Sequence, residues 1–519
     1  MIILYHNRYH VARVHDVSLN KAVTFSVVGL TDALFNLAAE YPDRMLLWCE
    51  MSLEQQFNFS AIPEIFHHKK MLATYSPGED YLSDVIGYID ESAFIKINKN
   101  VSFPTWRMSS AVGGIAAALL LALEKHLVKE QNFDYFLNST AKLAMPLGLF
   151  CYSEPALLKS RANIQSPQAS KRDLFRFARQ HYKPIWPLLL FINLFIYEKK
   201  FPILPFLLSL FNRRRKLSRK ALDTFSILSE KINHKRKTID VLIPTIGRKQ
   251  ELLNVLEDLA GQTLLPQQVI IAEQNPVSGS TSELDYLVNR SWPFKIRHIF
   301  THQPGACNAR NLALEEVRSD WIFFADDDIR IEKNFFEQAF SRMYQINGDI
   351  FNLAILNPGE KKKYEGIHLT AIFGAGCSIV SRESISNSRF DMAFEFGYGE
   401  DHAFGRHLMN KGYVIAYIPD PVINHLKSPS GGFRTRPKLL WDDDIIKPKP
   451  SPTTLLFRMQ HLTREQLNGY RTVSFFKYYK NQKVKNPIRY YKIFKRQWNR
   501  SMYWANKLAE SRNVEQSSS

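Results

Sequence analysis

Apolar and polar positions follow one another in blocks from Thr238 onward, and each block has the length of a strand or a helix. TIDVLIPTIG predicts a buried strand, and RKQELLNVLEDLAGQ predicts the amphipathic helix after it. LPQQVIIAEQN and FKIRHIFTHQ predict two more strands, GACNARNLALEEV a helix, and DWIFFADDD a strand that ends in acids. Strands and helices alternating at this spacing predict a doubly wound, mostly parallel α/β sheet over residues 238–436.

The rest of the chain divides into three predicted parts. Residues 1–170 have a mixed pattern and are predicted to be an N-terminal α/β domain of unknown role, with a strand at 45–48 and a core helix at 110–126. Residues 171–237 are an apolar and basic linker. Residues 437–519 contain the Pro-rich segment KPKPSP and then a basic, aromatic, helical tail. The fold class is therefore α/β with helical extensions.

The linker contains two apolar runs of about a dozen residues between Ile185 and Phe211, followed by a basic run from Arg213 to Lys220. Each run is shorter than the ~20 residues that a membrane-spanning helix needs. Apolar runs beside a basic cluster favour helices that lie in the membrane interface, where anionic headgroups meet the cations. The alternative is a pair of core helices with a solvated basic end.

Composition narrows the class of partner. Of 519 residues, 68 are Lys or Arg and 50 are Asp or Glu, so the net charge of +18 favours an anionic partner. No nucleic-acid reader motif accompanies the basic run, so nucleic acid is not expected. The four cysteines are far apart, which fits a reducing compartment. The N-terminus lacks the apolar core of a signal peptide, and we expect a cytoplasmic protein bound peripherally to the inner face of the cell membrane.

The candidate chemistry is carried by acidic residues next to strand and helix ends. Asp326, Asp327 and Asp328 follow the apolar run WIFFA. Because adjacent carboxylates at the end of a buried strand repel one another unless a cation neutralises them, a site for Mg²⁺ or Mn²⁺ is favoured over a solvated acidic turn. Glu400 and Asp401 open a helix after GYG, where a carboxylate can act as a general base or simply cap the helix.

Taken together, these segments resemble glycosyltransferase family 2, whose members have a GT-A fold and invert the anomeric carbon. The resemblance runs from about Thr238 to Gly432 and stands in family order, in the segments VLIPTIGR, VIIAEQN, GACNARNLAL, FFADDD, GAGCSIVSRE and GYGEDHAFGRHLMNKG. It implies transfer of a sugar from a nucleotide diphosphate sugar, most plausibly UDP-linked, to a hydroxyl of a polysaccharide or lipid-linked acceptor.

The resemblance also implies roles by position. The implied donor-binding residues are Pro244, Thr245, Arg248, Glu273, Arg310, Asp326 and Asp327. The implied ligands of Mg²⁺ or Mn²⁺ are Asp328, Asp326 and His425. Asp401 is implied as the catalytic base, oriented by Glu400. Glu273 departs from the family, which usually has Asp there, and this leaves the nucleotide open.

Two other functions remain open from the sequence. The first is a GT-A-like protein without activity that binds carbohydrate or a membrane surface, against which the complete set of Asp326, Asp328 and Asp401 argues. The second is a nucleotidyltransferase, against which the absence of a GxxxxGK phosphate loop argues.

Overall fold

The computed structural model describes residues 1–25, 29–92, 94–160, 164–428 and 438–517, with side chains described as far as residue 511. The predicted boundary at 436/437 and the end of the resemblance at Gly432 lie outside the described residues. The chain forms two compact units. Unit 1 consists of residues 1–231 and 462–477, and unit 2 of residues 232–461 and 478–519. Residues 171–231 thus belong to unit 1, and the helical tail is shared between the units.

The elements are numbered here in chain order. The strands are β1 Ile2–His6, β2 Val11–Asp16, β3 Lys21–Val23, β4 Met45–Glu50, β5 Met71–Tyr75, β6 Phe103–Pro104, β7 Val112–Ala116, β8 Phe150–Ser153, β9 Ile239–Thr245, β10 Gln268–Gln274, β11 Lys295–Thr301, β12 Trp321–Ala325, β13 Ile329–Arg330, β14 Ile350–Leu356, β15 His368–Thr370, β16 Cys377–Ser381 and β17 Ile415–His425. The α-helices are α1 Leu30–Glu40, α2 Ile62–Ile65, α3 Ala117–Glu124, α4 Phe133–Ala144, α5 Lys171–His181, α6 Trp186–Glu198, α7 Ile203–Ser209, α8 Lys220–Asp223, α9 Lys249–Ala260, α10 Tyr286–Asn289, α11 Ala306–Leu314, α12 Phe335–Ile346, α13 Glu400–Asn410, α14 Pro452–His461, α15 Arg464–Lys480 and α16 Pro487–Ser517. Short 3-10 helices lie at Met51–Gln56, Phe59–Ala61, Asp84–Tyr88, Met145–Leu147, Pro155–Leu157 and Met392–Phe394.

Unit 2 is built on a sheet with the strand order β11-β10-β9-β12-β16-β14-β17-β13, and β15 pairs with the outer side of β17. Strands β11, β10, β9 and β12 are parallel neighbours, whereas β16 is antiparallel to both β12 and β14. The α/β class is confirmed, and the strand directions are more mixed than the sequence pattern indicates. The four parallel strands end at one edge, which is where a ligand site is expected in such a sheet.

The elements predicted for unit 2 form because their apolar residues face a common core. In β12 all five residues from Trp321 to Ala325 are buried, as a strand covered on both faces requires. Helix α9 buries Leu252, Val255, Leu256 and Leu259, which recur at helical spacing. These elements hold the carboxyl ends of β9 and β12 next to each other.

Unit 1 contains an eight-stranded mixed sheet with the order β3-β2-β1-β4-β7-β5-β8-β6. The prediction of one core helix over 110–126 is wrong, because residues 112–116 form strand β7 and only 117–124 are helical. The reason is the pair Gly113 and Gly114, which lie against β4. A Cβ on Gly113 would lie 2.4 Å from the ring of Trp48, and one on Gly114 would lie 2.7 Å from Leu47. The glycines therefore let a strand pack where side chains would collide.

Within the described ranges, no helix is both long enough and apolar enough to cross a membrane. Helices α6 and α7, which the sequence predicts to be interfacial, have 13 and 7 residues.

Candidate functional site

A cleft of about 380 Å³ opens at the edge of unit 2 where the parallel strands end. Its volume is in the range of ordinary ligand pockets. Predicted site residues that line it are Pro244, Thr245, Arg248, Arg310, Asp326, Asp327, Asp328, Glu400, Asp401 and His425. These residues come from five separate chain segments, so the tertiary structure brings together what the sequence keeps up to about 180 positions apart.

The middle acid of the triplet, Asp327, is turned inward and is 4% exposed. Its carboxylate accepts hydrogen bonds from Oγ1 of Thr245 at 2.7 Å and from Nη1 of Arg248 at 2.5 Å. Burial raises the pKa of Asp327 to about 6, although the Arg248 charge and these hydrogen bonds oppose the shift. Asp327 therefore ties the loop after β9 to the loop after β12.

The two flanking acids and His425 form a cluster that could hold a cation. Within the described residues, Asp326, Asp328 and His425 offer ligand atoms that all lie within 4.8 Å of one another. Nε2 of His425 lies 3.2 Å from Oδ1 of Asp328, and this buried oxygen has no hydrogen bond of regular geometry within the described structure. Two carboxylates and one imidazole fit a divalent ion such as Mg²⁺ or Mn²⁺.

Asp328 and His425 are electrostatically coupled. Burial acts to raise the pKa of Asp328, but the neighbouring imidazole, the backbone N–H of Ser428 at 2.9 Å and the charge of Arg248 together lower it. The same pairing raises the pKa of His425, mainly through its contact with Asp328. Asp328 is thus held as a carboxylate, and a bound cation would take the place of the imidazole proton.

Asp326 depends on a close approach of the backbone at Gly376. A Cβ on Gly376 would lie 2.1 Å from Oδ2 of Asp326, a distance that no side chain could keep. Gly376 directly precedes β16, whose first residue, Cys377, pairs with Ala325. A side chain at position 376 would therefore displace the Asp326 carboxylate from its present position. The sequence hint for Gly376 is the GAG of GAGCSIVSRE.

Arg310 supplies a positive charge to the cleft from helix α11. Its Nη2 lies 3.7 Å from Oδ1 of Asp326, and its guanidinium carbon lies 5.5 Å from the centre of the Phe390 ring. The side chain is 9% exposed, and Nε and Nη1 are buried without a hydrogen-bond acceptor in the described structure. Buried N–H donors without an acceptor destabilise the folded protein, and an anionic ligand in the cleft would supply the missing acceptors.

Glu400 and Asp401, which open helix α13, also line the cleft. The helix begins after Gly399, which has φ of 107°, a left-handed conformation that favours glycine. Burial, and next the charge of Asp401, raise the pKa of Glu400 to about 7. Burial also raises the pKa of Asp401, which Arg310 and the Ala375 N–H oppose. Oδ1 of Asp401 is buried without a hydrogen-bond partner among the described atoms, so it is free to accept a proton.

Glu273 is the one predicted site residue that is not among those lining the cleft. Its carboxylate lies 2.8 Å from Nε2 of His298 and accepts a hydrogen bond from the Glu283 N–H at 3.2 Å. Burial acts to raise the pKa of Glu273, but the hydrogen bonds, first of all that of His298, lower it. The next residue, Gln274, lines the cleft instead, and its side chain accepts a hydrogen bond from the Gly305 N–H at 2.5 Å.

The sequence did not single out Glu395, which lies at the N-terminus of α11. Its carboxylate accepts hydrogen bonds from the N–H groups of Cys307 at 3.1 Å and Asn308 at 2.8 Å. A Cβ on Gly305 would lie 2.2 Å from Glu395, so Gly305 is required where the two segments meet. Glu395 is not among the residues that line the cleft, whereas Ile246, Pro304, Ala306, Phe396 and Lys427 line it and were also missed by the sequence. Of these five, only Ile246 directly follows a predicted site residue, and none has a distinctive sequence pattern of its own.

Comparisons with known proteins agree with the sequence resemblance. Residues 240–409 match glycosyl transferase family 2, which confirms the predicted resemblance over this segment. An uncharacterized glycosyltransferase of Haemophilus influenzae is 31% identical over 90 residues, which is 17% of this chain and 29% of the relative. The chain thus spans under a third of that relative's length.

Solved structures of S. aureus TarS are also similar to this chain. TarS 1-349 in complex with UDP-GlcNAc has 16% identity and a TM-score of 0.31, covering 51% of this chain and 72% of the TarS chain. Another TarS structure has 17% identity and a TM-score of 0.31, covering 37% of each chain.

Proposed function

We propose that this chain, of which residues 240–409 match glycosyl transferase family 2, transfers a sugar from a nucleotide diphosphate sugar to a hydroxyl group. The observation that carries the proposal is one cleft whose lining contains both a cation-type cluster and a half-buried pair of carboxylates. The cluster is Asp326, Asp328 and His425, and the pair is Glu400 and Asp401. A transferase of this type needs both halves, one for the leaving diphosphate and one for the attacking hydroxyl.

The donor side fits a diphosphate. Asp326, Asp328 and His425 are the residues that would hold Mg²⁺ or Mn²⁺, which supplies positive charge to neutralise the diphosphate as it leaves. The unsatisfied guanidinium donors of Arg310 add a second positive group beside Asp326. Thr245 and Arg248 act through Asp327, which they hold in place. A UDP-sugar is the donor that we favour.

The acceptor side fits a general base. We assign that role to Asp401, whose raised pKa favours uptake of a proton and whose Oδ1 has no competing hydrogen bond among the described atoms. Glu400, beside it, orients the base or the acceptor. As the acceptor oxygen bonds to the anomeric carbon, the bond from that carbon to the diphosphate oxygen breaks and the hydroxyl proton passes to Asp401. A single displacement of this kind inverts the anomeric carbon.

The proposal is tested by calorimetric and thermal-shift binding of UDP-, GDP- and CMP-sugars to the full chain, with and without Mn²⁺. We expect Mn²⁺-dependent binding of one nucleotide class, followed by sugar transfer to a glycan or lipid-linked acceptor. A folded protein that binds none of them would favour the inactive binding protein. Release of a sugar 1-phosphate with the nucleoside monophosphate attached to the acceptor would favour a nucleotidyltransferase.

We further propose that unit 1 binds an anionic membrane, which would place the enzyme beside a lipid-linked acceptor at the inner face of the cell membrane. Eleven large hydrophobic side chains between 185 and 211 are at least 39% exposed, and the largest values are 61% for Phe201, 66% for Leu204 and 85% for Phe211. A cluster of this size exceeds the scattered exposed apolar residues of ordinary surfaces.

A basic pocket follows this apolar surface along the chain. It has a volume of about 330 Å³ and its lining includes Arg213, Arg214, Arg215, Lys216, Ser139 and Thr140. Arg215 pairs with Glu130, but Arg213, Arg214 and Lys216 are exposed and have no carboxylate within ion-pair distance in the described structure. Cations next to an apolar surface suit anionic headgroups above a bilayer. The core-helix alternative accounts only for the inner face of α6, where Leu190 and Leu194 are buried.

The double variant Leu204→Glu, Phe211→Glu is expected to bind vesicles of phosphatidylcholine and phosphatidylglycerol about tenfold more weakly than wild type. The reason is that each side chain loses part of the ~1.5–3 kcal/mol that burying it provides. Sedimentation with vesicles measures the change. Val288→Glu is the control, because Val288 is 86% exposed but lies in unit 2. Wild-type protein that does not sediment with these vesicles, at low or physiological salt, contradicts the membrane proposal.

A further inference from the structure

The central strands of the two units have the same topology. In unit 1 the order β1-β4-β7-β5-β8 has the neighbour directions parallel, antiparallel, antiparallel and parallel. In unit 2 the order β9-β12-β16-β14-β17 has the same directions. Within each set of five strands, the one in the middle of the sheet order, β7 or β16, is the fourth of the five along the chain. An edge strand, β6 or β13, pairs antiparallel with the outer strand of each set.

The correspondence extends to the base position of the cleft. Asp401 is the second residue of α13, the helix that leads into β17, and it accepts a hydrogen bond from the N–H of Ala375, two residues before β16. Asp134 is the second residue of α4, the helix that leads into β8. It accepts a hydrogen bond at 2.8 Å from the N–H of Ser110, two residues before β7. A carboxylate therefore occupies the same place in both units.

Unit 1 does not have carboxylates at both positions that correspond to Asp326 and Asp328 of unit 2. In unit 2 Ala325 pairs with Cys377, so Asp326 comes one residue and Asp328 three residues after this pair. In unit 1 Cys49 pairs with Val112 in the same way, and the matching residues are Glu50 and Ser52. Glu50 forms an ion pair with Arg8 at 3.0 Å and accepts a hydrogen bond from Ser52 Oγ at 3.0 Å. The position of Asp328 thus holds a hydroxyl in place of a carboxylate.

Unit 1 also differs where the nucleotide side of the cleft would be. His6 at the end of β1 is fully buried, and its Nε2 lies 2.9 Å from the carbonyl oxygen of Ser110. Ala111 occupies the place of Gly376, directly before the paired strand. Beyond β1 lies the antiparallel hairpin of β2 and β3, whereas unit 2 has the parallel strands β10 and β11.

We propose that unit 1 is a second glycosyltransferase-type sheet that has lost the cation and nucleotide half of its site and keeps Asp134 as a structural link to Ser110. The chain then binds one cation–nucleotide complex, in unit 2. The count of sites rests on the proposed function, whereas the role of Asp134 does not. Both oxygens of Asp134 are engaged by Ser110, through its N–H and its Oγ at 2.9 Å.

The number of sites is measured by electron paramagnetic resonance of Mn²⁺ bound to the full chain in excess UDP. One Mn²⁺ per chain, lost in Asp328→Asn and kept in Glu50→Gln, supports the inference. Two per chain, or one that Glu50→Gln removes, overturns it. No bound Mn²⁺ would contradict the proposed function instead, and the inference would then be decided by the variants of Asp134.

Asp134→Asn and Asp401→Asn form a matched pair for testing the role of Asp134. Asn can keep both bonds to Ser110, so Asp134→Asn should fold and transfer sugar within about twofold of wild type, whereas Asp134→Ala should lower Tm. Transfer lost in Asp134→Asn without a fall in Tm would make unit 1 catalytic and overturn the inference. If transfer cannot be assayed, an unchanged Tm in Asp134→Ala overturns the structural role.

The pH dependence of stability gives an independent readout for Asp134. Burial raises its pKa to about 6, although the Ser110 hydrogen bonds oppose the shift. The folded protein therefore binds this proton more tightly than the unfolded chain, whose aspartates titrate at about 4. The stabilisation is present below about pH 4 and is lost as the pH rises through about 6. The Tm of Asp134→Asn minus the Tm of wild type should therefore rise between pH 4.5 and 7.5. If this difference stays constant over that range, the pKa of Asp134 is not raised in the folded protein.

Discussion

Asp328→Asn is expected to weaken Mn²⁺-dependent binding of the nucleotide sugar by about 100-fold or more and to abolish detectable transfer. Asp328 is 3% exposed, lies in the cation-type cluster and is held as a carboxylate by its neighbours. The amide has nearly the same volume and can still accept the Ser428 N–H, so the fold should persist. What it lacks is the charge that attracts a divalent ion. Calorimetric titration with and without Mn²⁺ measures the loss.

Asp443→Asn is the matched control, because Asp443 belongs to a second run of three aspartates at 442–444 but is exposed and pairs only with Lys438 in the described structure. This substitution should leave both binding and transfer unchanged. If Asp328→Asn binds donor with wild-type affinity in Mn²⁺ and has a wild-type Tm, Asp328 is not a cation ligand. A Tm lowered by many degrees would instead indicate that its bond to Ser428 supports the fold.

Asp401→Asn is expected to keep donor binding and to lower the rate of transfer by a factor of about 10² to 10⁴, which is the usual contribution of a general base. The substitution removes the proton acceptor but keeps the shape of the helix start. Oδ1 of Asp401 has no hydrogen bond within the described structure, and the amide oxygen of Asn can still accept the Ala375 N–H, so the fold should persist. Steady-state kinetics together with donor calorimetry separate the loss of turnover from a loss of binding.

Glu400→Gln is the comparison variant for this experiment. Glu400 is next to Asp401, and burial and the charge of Asp401 raise its pKa to about 7. We expect a smaller loss of transfer from Glu400→Gln than from Asp401→Asn, because Glu400 orients rather than accepts the proton. The reverse order of the two losses would exchange the roles of the two carboxylates. Wild-type turnover in both variants would move the base elsewhere.

The sequence predicts the parts of the cleft that depend on local pattern. An apolar run such as WIFFA must be buried, so the acids after it emerge at a strand end, and helix α13 begins where the glycines and acids of GYGED indicate. These predictions follow from periodicity and end signals, which act over a few residues. Every predicted site residue except Glu273 accordingly lines one cleft.

The residue pattern alone does not separate the three members of the acidic triplet; only the family resemblance implies that Asp326 and Asp328, and not Asp327, are cation ligands. Asp327 turns to Thr245 and Arg248, while Asp326 and Asp328 join His425. The carboxylate of Glu273 is likewise taken by His298, on the next strand of the sheet. Such choices depend on which strand lies beside which, and a residue's neighbours across a sheet are remote in the chain.

Unit 1 shows the same limit at the level of the fold. Residues 110–126 have the composition of a helix, but the strand at 112–116 forms because Gly113 and Gly114 fit against Trp48 and Leu47, which are more than 60 positions earlier. By itself the sequence determined the α/β class, the order of elements in unit 2 and the residue types at its cleft, because these rest on short-range periodicity. Only the tertiary structure decided the strand pairing, the common topology of the two units and the partners of each carboxylate: His425 beside Asp328, Thr245 and Arg248 on Asp327, and Ser110 on Asp134. These depend on long-range packing and hydrogen bonding, which no local pattern contains.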